Sequence, residues 1–119
     1  MPQTPKELHT ALAHAFNSKD IENVIALYEE NATLVPQPDQ LVNGREKVKE
    51  ALQGFLSIEG EMEIETVYCL QVGDVALTRS SWKITNNGTV GISASGTELM
   101  RMQRDGTWLF AVDHPFGAQ

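Results

Sequence analysis

Glu98 is the residue in this sequence whose neighbours most favour acid–base chemistry. Glu98, Met100 and Met102 alternate along a long predicted strand, so their side chains share one face. A carboxyl group among thioethers would lose hydration, and the protonated form that this favours suits a general acid or a hydrogen-bond donor to a ligand carbonyl. A structural alternative is a carboxylate that pairs with Arg79, Arg101 or a buried hydroxyl, and both interpretations remain open.

His114, at the end of the last predicted strand, is the second candidate for acid–base chemistry. It could reach the opening of a pocket, and the alternative is a surface or interface histidine. The preceding Asp113 cannot orient it directly, because neighbours on a strand face opposite ways. His9 and His14 lie off the apolar face of the first predicted helix, so we expect both in solvent. Scattered histidines without closely spaced carboxylates predict no metal site, and no motif predicts a cofactor.

Large apolar and aromatic side chains are numerous enough to line a ligand pocket. An indole N–H or a phenol O–H there would offer the ligand a polar contact. Simple core packing is the alternative for most of these side chains. Together with Glu98, the predicted pocket residues are Leu12, Phe16, Val35, Phe55, Tyr68, Trp82, Met100, Met102, Trp108 and Phe110.

The alternate glutamates between positions 59 and 65 form a column on one face of a predicted strand. A hard cation needs converging carboxylates, and a flat column diverges. We therefore interpret the column as a solvated outer face, crossed by Arg79, Lys83 or Arg101 from neighbouring strands. Cys69 has the same parity and is interpreted as a packing residue.

Composition restricts the class of protein. The chain has 119 residues, 41% of them hydrophobic, which suits one globular domain over residues 1–119. No apolar run approaches the roughly 18 residues of a membrane span, and the first residues do not resemble a secretory signal. A net charge of −7 disfavours nucleic acid and anionic membranes as partners. A single cysteine, Cys69, excludes an internal disulfide and fits a reducing compartment, so we expect a cytoplasmic location.

Hydrophobic periodicity predicts the order α-α-β-(β)-α-β-β-β-β. Asp20 and Asn43 are the predicted N-caps of the second and third helices. Predicted strands cover residues 31–35, 61–72, 75–85, 90–103 and 107–113, with a brief edge strand at 41–42, and turn residues separate the last four. In the strand 61–72, strict alternation predicts one shared face for Met62, Ile64, Thr66, Tyr68, Leu70 and Val72.

Helices gathered in the first half and strands in the second predict an α+β fold. We expect a curved antiparallel sheet wrapped over three helices, because strands this long must curl to stay packed. A curled sheet over helices leaves a concave interior where a ligand can sit.

The chain resembles the nuclear transport factor 2-like superfamily, which includes ketosteroid isomerase and the SnoaL-like polyketide cyclases. The resemblance spans nearly the whole chain. It is carried by the segments 16–20 (FNSKD), 26–36 (ALYEENATLVP), 42–46 (VNGRE), 105–108 (DGTW) and 112–117 (VDHPFG). The last segment is most similar to small bacterial ketosteroid isomerase homologues. The resemblance implies the cone fold, which hosts isomerases, dehydratases, cyclases, hydrolases and non-catalytic modules.

The ketosteroid isomerase machinery is incomplete in this chain. The resemblance places Leu12 at the position of that family's helical tyrosine and Pro36 at the position of its base. Glu98 falls at or near the position of its protonated acid. Because proline cannot remove a proton, steroid isomerisation by that route is not expected.

We therefore expect a protein that binds a small apolar or carbonyl-bearing molecule in an internal pocket. One alternative is an isomerase, dehydratase or cyclase in which Glu98, helped by His114 or Tyr68, is the acid–base group. Another is a non-catalytic scaffold whose cavity is filled by its own side chains. We also expect a homodimer formed through the outer face of the sheet, because Val67 and Cys69 add apolar area to the face that carries the glutamate column.

Overall fold

The computed structural model describes residues 1–119 as three helices and one curved six-stranded sheet, which confirms the predicted α+β cone fold. The first half holds α1 (Pro5–Ser18), α2 (Ile21–Ile25), β1 (Tyr28–Gln37), β2 (Gln40–Asn43) and α3 (Arg45–Leu56). The second half holds β3 (Glu61–Val72), β4 (Val75–Asn86), β5 (Thr89–Met102) and β6 (Trp108–His114). None of the helices combines the length and hydrophobicity needed to span a membrane.

Two of the three helices begin at an N-cap residue whose side chain accepts a backbone hydrogen bond. Thr4 caps α1 by accepting a hydrogen bond from the Glu7 backbone N–H, and Asp20 caps α2 as predicted. The predicted cap of α3 is wrong. Gly44, with φ at 92°, occupies the N-cap, and the Asn43 side chain instead donates to the Asn31 carbonyl at 2.9 Å. Asn43 thus ties the edge strand β2 to β1.

The sheet has the strand order β2-β1-β6-β5-β4-β3. It is mixed and not wholly antiparallel, since β1 pairs in parallel with β6. Turn signals in the sequence report only strands that are neighbours along the chain. They indicated the meander β3 to β6 correctly and carried no information about the partner of β1.

A β-bulge in β3 changes which side chains face the helices. Thr66 pairs with Ser80 and Tyr68 pairs with Arg79, so Val67 is the extra residue. One inserted residue reverses every later side chain. The predicted single face of β3 is therefore wrong beyond Thr66: Tyr68 lies on the outer face, where it is 42% exposed.

The core lies between the helices and the concave face of the sheet. Its larger cluster is centred on Leu8, Tyr28, Leu34 and Phe110, all fully buried. Each such side chain contributes about 1.5–3 kcal/mol through removal of apolar surface from water. A smaller cluster around Trp82 lies beside the first, towards α3 and β3.

Candidate active site at the buried end of an apolar cavity

A small cavity lies between α1, α3 and the concave face of the sheet. It measures about 50 Å³. At about 10–15 Å³ for each water, this is room for a few waters, and it is far below the roughly 300 Å³ at which drug-sized ligand sites begin. Its apolar wall is formed by Leu12, Phe16, Val24, Leu52, Phe55, Leu56, Met62, Ile64, Trp82 and Pro115. The cavity suits a ligand with only a handful of non-hydrogen atoms.

Glu98 is the centre of a hydrogen-bond network at the polar end of this cavity. Its side chain is buried, and it accepts bonds from Thr78 Oγ1 at 2.7 Å and Ser80 Oγ at 2.6 Å. His9 Nε2 lies 2.8 Å from Glu98 Oε1. The β4–β5 ladder explains the hydroxyl contacts, because Thr78 is directly opposite Glu98 in that ladder. A buried carboxylate needs such partners to offset its lost hydration.

Gly96 is required by this network. A Cβ at position 96 would lie 2.7 Å from Glu98 Oε2 and 2.8 Å from Ser80 Oγ. Any side chain there would displace the carboxylate or the hydroxyl that donates to it. The glycine therefore leaves room for the Ser80–Glu98 hydrogen bond.

His9 is buried, which corrects the prediction that it faces solvent. Its Nδ1 lies 2.6 Å from Thr66 Oγ1, on the opposite side of the ring from Glu98. The two contacts fix the orientation of the ring. The spacing of His9, Leu12 and Phe16 at i, i+3 and i+7 places them on one side of α1, and it was the missed signal that His9 faces the cavity. His14 is exposed, as predicted.

Asp113 is the second buried carboxyl group, and it accepts a hydrogen bond from Tyr28 Oη at 2.6 Å. It lies directly opposite Glu98 in the β5–β6 ladder. Burial raises the pKa of Asp113 to about 7, the nearby negative charge of Glu98 adds to the increase, and the Tyr28 hydrogen bond partly opposes it. Burial, followed by the charge of Asp113, raises the pKa of Tyr28 well above its usual value.

One oxygen of Asp113 has no hydrogen-bond donor from the protein. Oδ2 accepts the Tyr28 hydrogen bond, and Oδ1 accepts none from the protein. Oδ1 is not fully enclosed by the protein. The fully enclosed side-chain atom that lacks a hydrogen-bond partner is Nε of Arg79, on the outer face. Asp113 is also one of the residues that line the cavity.

Part of the predicted site is assembled in the structure. The predicted residues that line the cavity are Leu12, Phe16, Phe55, Trp82 and Glu98. Trp82 uses its indole N–H on the Pro115 carbonyl at 2.8 Å and does not offer it to the cavity. Glu98 is partnered by buried hydroxyls, as the structural alternative proposed, and by His9, which was not foreseen.

The other predicted site residues lie elsewhere. Tyr68 and Met102 are exposed, and Val35 is half-buried away from the cavity. Met100, Trp108 and Phe110 pack in the main core. His114 is half-buried and does not line the cavity, because it follows Asp113 on the strand and faces the other side.

Four polar residues of the site were missed: His9, Tyr28, Ser80 and Asp113. The hydroxyls had a readable signal, since Thr78 and Ser80 interrupt the buried alternating row of β4 that includes Ala76 and Trp82. Nothing in the sequence indicated the Tyr28–Asp113 bond, which joins residues 85 positions apart.

Comparison with known proteins places these features in a family context. The SnoaL-like domain family matches residues 9–110. No curated protein matches the sequence.

Several solved structures share the fold. A candidate calcium/calmodulin-dependent protein kinase type II association domain from Thiobacillus denitrificans has a TM-score of 0.83 at 17% identity, over 100% of this chain and 98% of that one. A ketosteroid isomerase-like protein from Erwinia carotovora atroseptica has a TM-score of 0.69 at 27% identity, over 90% and 88% of the two chains. A candidate dehydratase of the NTF2-like family from Streptomyces avermitilis has a TM-score of 0.70 at 16% identity, over 91% and 89%.

Proposed function

Because the chain belongs to the SnoaL-like domain family, within the NTF2-like superfamily, we propose that its cavity binds a small, mainly apolar molecule carrying a carbonyl or hydroxyl group and catalyses proton transfer on it. The observation that carries this proposal is the buried Glu98–Asp113 pair at the polar end of an apolar cavity. Buried like charges are costly to maintain, and enzymes use such arrangements to set the pKa of a catalytic group.

Asp113 is the acid–base group of the proposed reaction. With a pKa of about 7, its carboxyl group can both accept and donate a proton near neutral pH, where general acid–base catalysis is most effective. Its free Oδ1 would take a proton from a ligand carbon next to a carbonyl group. The proton would then return to another carbon, as in an isomerase, or leave with a hydroxyl group as water, as in a dehydratase.

Glu98 has a positioning role in this proposal and not the catalytic role first considered for it. Its two oxygens are already engaged by His9, Thr78 and Ser80. Its contribution is electrostatic, since its charge raises the pKa of Asp113. Tyr28 orients the Asp113 carboxyl group through its hydrogen bond. Positions 12 and 36, where ketosteroid isomerase would have its tyrosine and base, have no part in this chemistry.

The ligand is small because the cavity is small. The roughly 50 Å³ available suits a compact ketone or alcohol and not a steroid. The same small volume favours one alternative function, a non-catalytic scaffold with a filled cavity. The two functions differ in whether the cavity takes up any ligand and exchanges its protons.

Deuterium exchange tests the proposed function. Butanone in D₂O should lose its α-protons faster in the presence of the protein, as followed by proton NMR. Asp113→Asn should lower this exchange by about 10²–10⁴-fold, the usual contribution of a general base. Glu63→Gln, on the exposed outer face, is the matched carboxylate control. Binding without exchange would support a binding module, and neither binding nor exchange would support the scaffold.

A further inference from the structure

We propose that the same cavity also selects small primary ammonium ions over neutral and anionic molecules of the same size. The inference rests on the proposed function only in sharing its site. Its basis is the charge of the lining residues. They include the carboxyl groups of Glu98 and Asp113 but no lysine or arginine.

The two carboxyl groups are not equally partnered. Glu98 has His9 as a neighbour that can carry a positive charge, at 2.8 Å. Asp113 has the hydroxyl of Tyr28 and no cationic group. A buried carboxylate without a cationic partner loses much of its hydration and gains little in return. An ammonium group at Oδ1 would supply the missing charge and a hydrogen-bond donor in one contact.

The other groups that face Asp113 are compatible with a bound cation. Titratable groups come from β5 (Glu98), β1 (Tyr28) and, through Glu98, from α1 (His9). The helix α3 and the strand β3 contribute only apolar side chains to the cavity, and β4 contributes Ser80 and Trp82. No lining group except His9 can repel a cation, and His9 is turned towards Glu98.

The apolar wall contributes to the same selectivity. Aromatic rings attract a cation that lies over the ring face, and they provide contact for a short hydrocarbon chain. The aromatic lining residues are Phe16, Tyr28, Phe55 and Trp82. A branched alkylammonium ion of about five non-hydrogen atoms matches a cavity that holds a few waters. Anions should be rejected, because they would meet two carboxyl groups, and His9, the one lining residue that can carry a positive charge, already contacts Glu98.

Binding should also depend on pH in a defined direction. The ammonium ion requires the ionised form of Asp113, whose pKa is about 7. At lower pH, the carboxyl group must release its proton to solvent before the cation binds, so affinity should fall about tenfold for each pH unit below 7. An alkylammonium ion stays charged through pH 8, since its own pKa is near that of lysine, about 10.4.

Three nearly isosteric probes test the inference: isobutylammonium, isobutanol and isobutyrate. Binding is measured by NMR titration of the intact protein at pH 8 and pH 6. At pH 8, we expect isobutylammonium to bind at least tenfold more tightly than isobutanol. Its affinity should be lower at pH 6. Isobutyrate should not bind at either pH. Isobutanol should show no such pH dependence.

Variants distinguish the site from general attraction by a protein of net charge −7. Asp113→Asn keeps an acceptor for Tyr28 and should remove the preference for the cation. Glu63→Gln removes one exposed charge and should leave that preference intact. Equal binding of the cation and the alcohol, binding of isobutyrate, or no binding of any probe would overturn the inference. None of these results decides the proposed function, which is judged by butanone exchange.

Discussion

Glu98 and Asp113 stand directly opposite one another on adjacent antiparallel strands, with both side chains buried. Opposite residues in such a ladder have their Cβ atoms about 4.5–5.5 Å apart. Two carboxyl groups this close, in a site of low polarity, do not both ionise at low cost. One carboxyl group is partnered by histidine and the other has a pKa of about 7, which creates a proton acceptor at neutral pH.

The first prediction concerns the pH dependence of stability. Burial raises the pKa of Asp113 in the folded state from its ordinary value of 3.8 to about 7. Between about pH 4 and pH 7, the folded protein therefore keeps a proton on Asp113 that the unfolded chain loses. For this reason, the contribution of Asp113 to the free energy of unfolding becomes less favourable as pH rises through this range, by up to roughly 1.4 kcal/mol per pH unit. Asp113→Asn should remove this loss.

Urea denaturation at pH 5, 6 and 8 tests this prediction. The Asp113→Asn variant should gain stability relative to the wild type as pH rises, and the gain should level off above about pH 7. Glu63→Gln should show no comparable trend, because Glu63 is exposed beside Lys83. Parallel pH curves for the wild type and Asp113→Asn would contradict the raised pKa.

The second prediction concerns Glu98→Gln. Glu98 accepts hydrogen bonds from Thr78 and Ser80, and a glutamine amide would turn its NH₂ group towards at least one of these donors or towards His9. The variant should therefore be destabilised by about 1–3 kcal/mol. Removal of the Glu98 charge should also lower the pKa of Asp113, as measured by carboxyl carbon NMR. An unchanged Asp113 titration would show that the two carboxyl groups do not interact.

The third prediction concerns His9. His9→Phe should leave the buried Glu98 without its histidine partner, and loss of a hydrogen bond to a charged group typically costs about 1.5–3 kcal/mol. The double variant with Glu98→Gln should be less destabilised than the sum of the single variants, because the unpaired charge is then absent. Additive losses in denaturant midpoints would argue against a direct His9–Glu98 interaction.

The fourth prediction compares two glycines. A Cβ at Gly96 would overlap Glu98 and Ser80, so Gly96→Ala should cost about 1–3 kcal/mol and disturb the polar end of the cavity. A Cβ at Gly54, within α3, meets nothing within 4 Å. Gly54→Ala should therefore stabilise the protein by about 0.5–1 kcal/mol through helix propensity. Thermal denaturation of both variants should give shifts of opposite sign.

The fifth prediction concerns self-association through the outer face of the sheet. Leu70, Leu77, Leu99 and Val112 are directly paired across β3, β4, β5 and β6 and form one apolar row on that face. We expect a homodimer at micromolar concentration, and Leu77→Lys should shift it to a monomer in sedimentation experiments. Leu41→Lys, at an exposed site on β2, is the control. A wild-type monomer would count against this interface.

Much of the fold could be predicted because it depends on local patterns. The apolar faces of α1 and α3, the alternation in β4 and β5, and the turns between the last four strands are properties of adjacent residues. The site was predicted only where the pattern of a single helix or strand was sufficient, as for Phe16 on α1 and Glu98 on β5. Its other members were missed because their partners are distant: His9 and Glu98 are 89 positions apart.

By itself, the sequence determined the α+β class, the order of elements and the buried face of each long strand up to its first bulge, since these depend on side-chain periodicity. Only the tertiary structure decided the parallel pairing of β1 with β6, the outward turn of Tyr68 beyond the Val67 bulge, and the contact of His9 with Glu98. These features depend on which distant segments meet and in what register. A one-residue shift in register carries a side chain from the cavity to the solvent without any change in the local pattern.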